Sequence, residues 1–242
     1  MKNGFSFGAA MLVAIGLAAA GWFVGNGFMK GRSADRFVTV KGVSEREVEA
    51  DIALWPLRFV ATDDDLAQAQ KKIENSKQAI VQFLEKYGIE ASKTELQTLQ
   101  VTDILANPYR SGPTTSRFIV SQTLMVRSED PGLIYTVSQK VGELVDAGVV
   151  LSSTHGPTSG PTYLFTRLND IKPDMIAEAT ASARKAADQF ALDSGSKISG
   201  IRRANQGVFV IRPRDQAPGI TEANQLNKTV RVVSTIEYYL RD

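Results

Sequence analysis

Histidine occurs once in this chain, at position 155 within Ser153-Thr154-His155-Gly156-Pro157, so a serine nucleophile activated by imidazole has a single candidate base. A lone histidine in a Gly-Pro turn reads as a solvated turn residue. The other chemically capable residues fail on spacing. Asp63-Asp64-Asp65 offers three carboxylates to a hard cation, but consecutive residues at a helix start point in different directions, and capping explains them better. Ser194-Gly195-Ser196-Lys197 has the composition of a phosphate loop, yet it follows a helical pattern instead of opening one. A serine–lysine hydrolase is left on residue types alone. Cysteine is absent, which removes thiolate catalysis, disulfides and Cys-ligated zinc. The reading is of no catalytic, metal or cofactor site.

The strongest signal lies elsewhere. No charged side chain occurs between Lys2 and Lys30, and an apolar span of more than about 20 residues is long enough to cross a hydrocarbon core as a helix. Lys2 before an apolar stretch, with Ala18-Ala19-Ala20 as a small-residue cleavage site before Gly21, supports a competing signal-peptide reading. Apolarity, however, continues through Trp22, Phe23, Val24, Phe28 and Met29 to the Lys30/Arg32 flank, with aromatics where an interfacial belt would lie. This favours a retained anchor. Gly4-x-x-x-Gly8 and Gly21-x-x-x-Gly25 would let such anchors approach one another.

Lys2, Lys30 and Arg32 account for three of the 28 basic residues; the remaining 25 face 26 acids, a formal charge of −1 outside the anchor. Nothing in that balance suggests nucleic acid. The expected organisation is an anchor over 1–32 and one domain over 33–242.

Within the domain, Phe37 to Val43 and Val48 to Val60 alternate at period two and read as strands, with Pro56 demanding an edge or a bulge. Thr62 with the following aspartates starts a helix whose inward face is Leu66, Ala69, Ile73, Ile80, Leu84 and Tyr87, closing at Gly88. Strands near Glu95 to Leu105 and Arg117 to Arg127 form an antiparallel hairpin with a long Asn107–Pro113 tip. Asp130-Pro131 opens a second helix (Ile134, Val137, Val141, Leu144, Val145 inward) that Gly148 ends. Strands follow at Val149 to Ser153 and Pro161 to Leu168. Pro173 opens a third helix, with Ile176, Ala179, Ala183, Ala186 and Phe190 inward, whose alanines imply close backbone approach; Gly195 ends it. Strands over Ile198 to Ile211 and Thr229 to Leu240 finish the chain. The recurring helix–Gly–strand order predicts an α+β fold: antiparallel sheet with three helices on one side, built from duplicated strand-strand-helix units.

Lys41-Gly42 with Glu45, Asp51 and Ala53, then Glu95-Leu96-Gln97-Thr98 before Asn107-Pro108-Tyr109, then Ala179, Ala183-Arg184, Ala187-Asp188, Gly195 and Ile198-Ser199-Gly200-Ile201 together resemble the SIMPL-domain family. These are bacterial exported proteins of largely undefined activity, including a Brucella periplasmic immunogen. The resemblance implies a domain on the outer side of the inner membrane, members that assemble into large rings, and a link to envelope or oxidative stress. It supplies no catalytic residue. The expected partners are the lipid bilayer, through Gly21, Trp22, Phe23 and Gly25, and further copies of the chain. A tethered module holding another envelope protein is the alternative. Two loops are candidate interaction surfaces: the hairpin tip with Tyr109 and Arg110, and the long segment carrying Arg212, Arg214, Ile220 and Leu226.

Overall fold

Residues 53, 55, 57, 59 and 61 are buried and their even-numbered neighbours are not, the period of a strand that carries a core on one face. The computed structural model describes residues 4–33, 36–106, 115–152 and 160–241. Its elements run α1 (Gly4–Ser33), β1 (Phe37–Glu49), β2 (Ile52–Asp63), α2 (Leu66–Lys86), β3 (Thr94–Leu96), β4 (Gln100–Asp103), β5 (Phe118–Ser128), α3 (Pro131–Ser138), α4 (Gly142–Asp146), β6 (Thr162–Leu164), α5 (Leu168–Asp193), β7 (Lys197–Gln206), β8 (Val210–Pro213) and β9 (Asn227–Arg241). The fold is α+β with two antiparallel sheets. The chain divides into two compact units, residues 46–171 with 211–230, and residues 1–45 with 172–210 and 231–242.

In the first unit the sheet order is β3-β5-β2-β6, with β4 also beside β5. β2 and β5 pair from Ala53↔Ser128 to Asp63↔Phe118. Trp55, Leu57 and Phe59 on β2 share a core with Ile73, Ile80, Phe83 and Leu84 of α2 and Ile134 and Val137 of α3. Trp55, 1% exposed, is a core residue. Pro56 sits in a central strand, which the edge expectation did not allow for. The reason is local: Val60 N–H donates to Val150 O and Arg58 O accepts from Ser152 N–H, so even-numbered residues of β2 direct their backbone groups away from β5. Pro56 faces that same side, between the β6 pairing at Ile52–Leu54 and the Phe59↔Leu151 bridge, where no described strand needs its donor.

The second unit holds the other core. The four-stranded sheet has the order β1-β9-β7, with β8 also beside β9. Leu240 N–H donates to Arg36 O at one end of the β1–β9 ladder, and Arg231 pairs with Glu45 across it. Val38, Ile236 and Tyr238 pack with Ala183 and Ala187 of α5. A Cβ on Gly42 would lie 1.8 Å from Ala179 O and 2.5 Å from Ala183 N, so β1 and α5 meet backbone to backbone. Only methyl-sized side chains fit beside that contact. The buried stripe of α5 is accordingly Met175, Ala179, Ala183, Ala187 and Ala191, while Ala186 is exposed and Phe190 is 49% exposed. The expected close approach is present, but the phase differs by one residue on either side of Ala179 and Ala183: Met175 is buried where Ile176 is expected, and Ala187 and Ala191 where Ala186 and Phe190 are.

Other expectations are corrected in place. The three expected helices do not cover one sheet: α2 and α3 share the β2/β5 core and α5 packs on the four-stranded sheet. The second expected helix is split, because Lys140, Glu143 and Leu144 N–H groups reach back three residues, to Val137, Lys140 and Val141, and Gly142 adds backbone freedom. The rephasing leaves Val145 60% exposed. α5 begins at Leu168, not Pro173, and Leu66 is 43% exposed. The N-cap of α2 is Asp65, which accepts from Gln68 N–H at 3.0 Å, because β2 runs on through Thr62 to Asp63. The expected strand over Ile198–Ile211 breaks into β7 and β8 at Gly207, whose missing Cβ leaves room for Val233 O.

The three glycine stops share one geometry. Gly88, Gly148 and Gly195 have φ of 80°, 82° and 67°, and each is followed by the same pair of bonds, as in Ile89 N–H to Leu84 O and Gly88 N–H to Glu85 O. What recurs is a helix stop, and the two sheets that surround these stops differ in strand order. Near the first two stops, Lys86 and the Tyr87 hydroxyl both bond Glu143, holding its carboxyl below the usual range and joining the end of α2 to α4.

Ser234 is 3% exposed and its hydroxyl has no hydrogen-bond partner among the described residues. Ser234→Ala removes a desolvated polar atom without creating a large void, so denaturant unfolding is expected to show a gain of about 1 kcal/mol.

Candidate functional site

Among the described residues with apparent chemistry, the three consecutive aspartates are engaged in structure. Asp65 caps α2, Asp63 accepts from Asp65 N–H and pairs with Lys72 at 2.7 Å, and Asp64 accepts from Arg117 N–H. Lys72 holds the Asp63 carboxyl below its ordinary range. No group of three metal-ligating side chains occurs among the described residues. Ser196 N–H closes the end of α5 on Ala191 O. His155 lies outside the described residues.

Of the interaction candidates, Tyr109 and Arg110 also lie outside the described residues. The base of their hairpin is fixed by Asp103 and Arg117, whose guanidinium bonds both carboxylate oxygens and holds that carboxyl low. The long 212–228 segment lies wholly within the described residues. Arg212 is on β8, Arg214 pairs with Asp215 at 3.0 Å, and the Gln225 side chain exchanges two hydrogen bonds with the Asp215 backbone. Lys228, fully buried, ion-pairs with Glu222 and donates to its carbonyl. Leu226 packs on the core of the first unit, while Ile220 is 38% exposed. The segment is thus a clamped loop presenting Ile220 and the arginines.

Sequence reasoning did not find the open face of the β2/β5 sheet. Leu54, Pro56, Arg58 and Val60 face away from the core, opposite Arg127, Met125, Thr123 and Ser121 of β5. Where the chain leaves β3 and re-enters at β4, a cavity of about 590 Å³ opens over this face, lined by Arg58, Glu95, Gln97, Gln100, Ser121 and Thr123. A second, of about 420 Å³, adjoins it at Glu95 and adds Leu54, Met125 and Arg127. Arg58 donates to Ser121 Oγ at 3.3 Å, so that hydroxyl meets a cation and not a base. The lining offers hydrogen-bond recognition of a polar ligand. Alternation in β2 placed Arg58 on this face; the break between β3 and β4 left no sequence signal.

α1 is a 30-residue helix, and its Gly8–Phe28 stretch is long and apolar enough to cross a membrane, a test that an N-terminal signal sequence also passes. Trp22 and Phe23 are 70% and 75% exposed, and Gly21 and Gly25 have nothing within 4 Å of their missing Cβ atoms. Residues 38–237, which run from β1 into β9, match a family model described as SIMPL, protein of unknown function (DUF541). The chain belongs to the SIMPL family. A search of curated proteins returns no match. α1 lies outside the matched residues.

Within the SIMPL domain, Gly42 and Asp51 are structural. The Asp51 side chain, 10% exposed, accepts from Thr166 N–H and Oγ1 and from Arg167 N–H and Nε, tying the β1–β2 turn to the residues that precede α5. Burial pushes this carboxyl up, but the Thr166 and Arg167 bonds outweigh it and the group titrates below the ordinary range. Its stabilising effect is therefore complete above about pH 4 and is lost as pH falls through the depressed folded value. Asp51→Asn is expected to cost about 2 kcal/mol at neutral pH and to flatten the dependence of stability on pH below about 4, read by denaturant unfolding.

Proposed function

We propose that this SIMPL protein is a membrane-tethered, extracytoplasmic, homo-oligomeric scaffold of the bacterial envelope, with α1 retained as a single-pass inner-membrane anchor. The observation that carries the reading is α1 itself. A helix apolar on all sides requires an apolar surrounding, and none of the Gly8–Phe28 stretch is buried by protein. At 1.5 Å per residue its 21 residues span about 31 Å, the thickness of a hydrocarbon core. Gly21-x-x-x-Gly25 presents a bare strip along which a second anchor fits. Ring or cage assembly and a role in envelope or oxidative stress rest on the family resemblance. We assign no catalytic role; Asp63, Asp64 and Asp65 serve an ion pair, a backbone clamp and a helix cap.

The test is the native mass of gently solubilised full-length protein over a wide concentration range. A discrete multiple of the subunit is expected; a monomer throughout contradicts the scaffold. The polar cavity beside Arg58 favours a second reading, a tethered module that holds another envelope protein. Crosslinked membranes distinguish them, since a scaffold recovers chiefly itself.

A further inference from the structure

The β3–β4 edge falls out of step with its neighbour at one place. From Leu96 to Gln100 the edge advances four positions while β5, its partner, advances three, from Leu124 to Ser121, so the edge carries one extra residue. Such a bulge re-aims the side chains around it, and bulges gather beside functional sites. Gln97 stays tied to β5, its N–H donating to Thr123 O and its carbonyl accepting from Gln122 Nε2. The cavity of about 590 Å³ opens at this step, and small-molecule sites range over roughly 300–1,000 Å³. Two residues of its lining are charged, Arg58 and Glu95; the rest are amides, hydroxyls and one leucine.

The two charges stand apart. β2 and β3 flank β5, with Arg58 opposite Thr123 and Glu95 opposite Met125; at about 4.8 Å between strands and about 3.4 Å per residue, their Cα atoms lie about 12 Å from each other. Among the described residues no ion pair joins them. Ser121 Oγ accepts from Arg58, which leaves that hydroxyl its own hydrogen to donate, so a cation and a hydroxyl donor converge at one end of the cavity and a carboxylate marks the other. A ligand of one sign is drawn to one end and repelled by the other, and an uncharged ligand balances neither. A small molecule carrying both charges answers both. We propose that this cavity binds a free α-amino acid, its carboxylate on the Arg58 guanidinium and the Ser121 hydroxyl and its ammonium on Glu95. The ligand's side chain is then directed toward the adjoining cavity of about 420 Å³, which shares Glu95 and adds Leu54 and Met125. The assignment stands whether or not the chain is tethered or assembles.

The experiment is calorimetric titration of full-length protein in mild detergent with each standard L-amino acid, then with the N-acetyl and amide derivatives of any that binds. At least one amino acid is expected to bind. The N-acetyl form lacks the ammonium and the amide lacks the carboxylate; each is expected to bind roughly ten- to a hundredfold more weakly than its parent, the loss of one charge-assisted contact. Glu95→Gln is expected to weaken the parent by the same factor and leave the N-acetyl form unaffected, and Arg58→Gln to weaken the parent and leave the amide unaffected. That crosswise pattern assigns each ligand group to its residue, whereas a merely structural role would weaken every ligand alike. The derivatives act on the native chain and Glu95 is exposed, so the test survives if Arg58→Gln fails to fold. No amino acid bound at millimolar concentration, a derivative as tight as its parent, or parent binding unchanged by Glu95→Gln overturns the assignment.

Discussion

Gly42→Val is expected to destabilise the domain by roughly 2–4 kcal/mol, lowering its melting temperature by roughly 6–12 °C, because the new side chain enters space held by the backbone of α5. The Cβ alone would stand 1.8 Å from Ala179 O, 2.5 Å from Ala183 N and 2.8 Å from Ala183 Cβ. No rotamer change relieves an overlap with backbone atoms, so α5 must move off β1 and uncover Ala179, Ala183 and Ala187. Gly88→Ala provides the contrast. Its added methyl meets nothing within 4 Å, and the cost comes only from φ +80°, about 1 kcal/mol. Thermal and denaturant unfolding of the two variants separate a packing requirement from a conformational one. Equal losses would mean that α5 does not press on β1.

The second large effect concerns location. Residues 34–242 exported behind a foreign cleavable leader are expected to move almost entirely from the membrane pellet to the soluble extracytoplasmic fraction. The native protein is expected to stay in the pellet through high-salt and alkaline washes. Salt screens charge attraction but leaves apolar burial intact, and a spanning helix is held by apolar burial. Release of the native protein by salt would mean that basic residues, and not α1, hold it at the membrane.

These effects differ in how far the sequence announced them. The apolar helix α1, the stops at Gly88, Gly148 and Gly195, and the β2 alternation are local signals: a left-handed glycine or a run of apolar residues needs no distant partner to be read. The separation into two sheets was not local. β1 and β2 adjoin in sequence and read as one pair of strands, yet β1 lies beside β9, with Glu45 and Arg231 meeting 186 positions apart. Asp51 likewise looked like part of a motif, while its partners Thr166 and Arg167 lie 115 and 116 positions away. The inward face of α5 runs through Met175, Ala187 and Ala191 where the sequence pattern suggests Ile176, Ala186 and Phe190. The backbone contact at Gly42 instead selects methyl groups and turns Phe190 outward. The cavity beside Arg58 depends on a break between β3 and β4 that no residue type marks.

Retention of α1 is tested most directly by the intact mass of the protein extracted from its native membrane. The account predicts a polypeptide that still carries residues 1–20 and is recovered with the membrane. A mature chain beginning at Gly21, recovered in the soluble fraction, would contradict it.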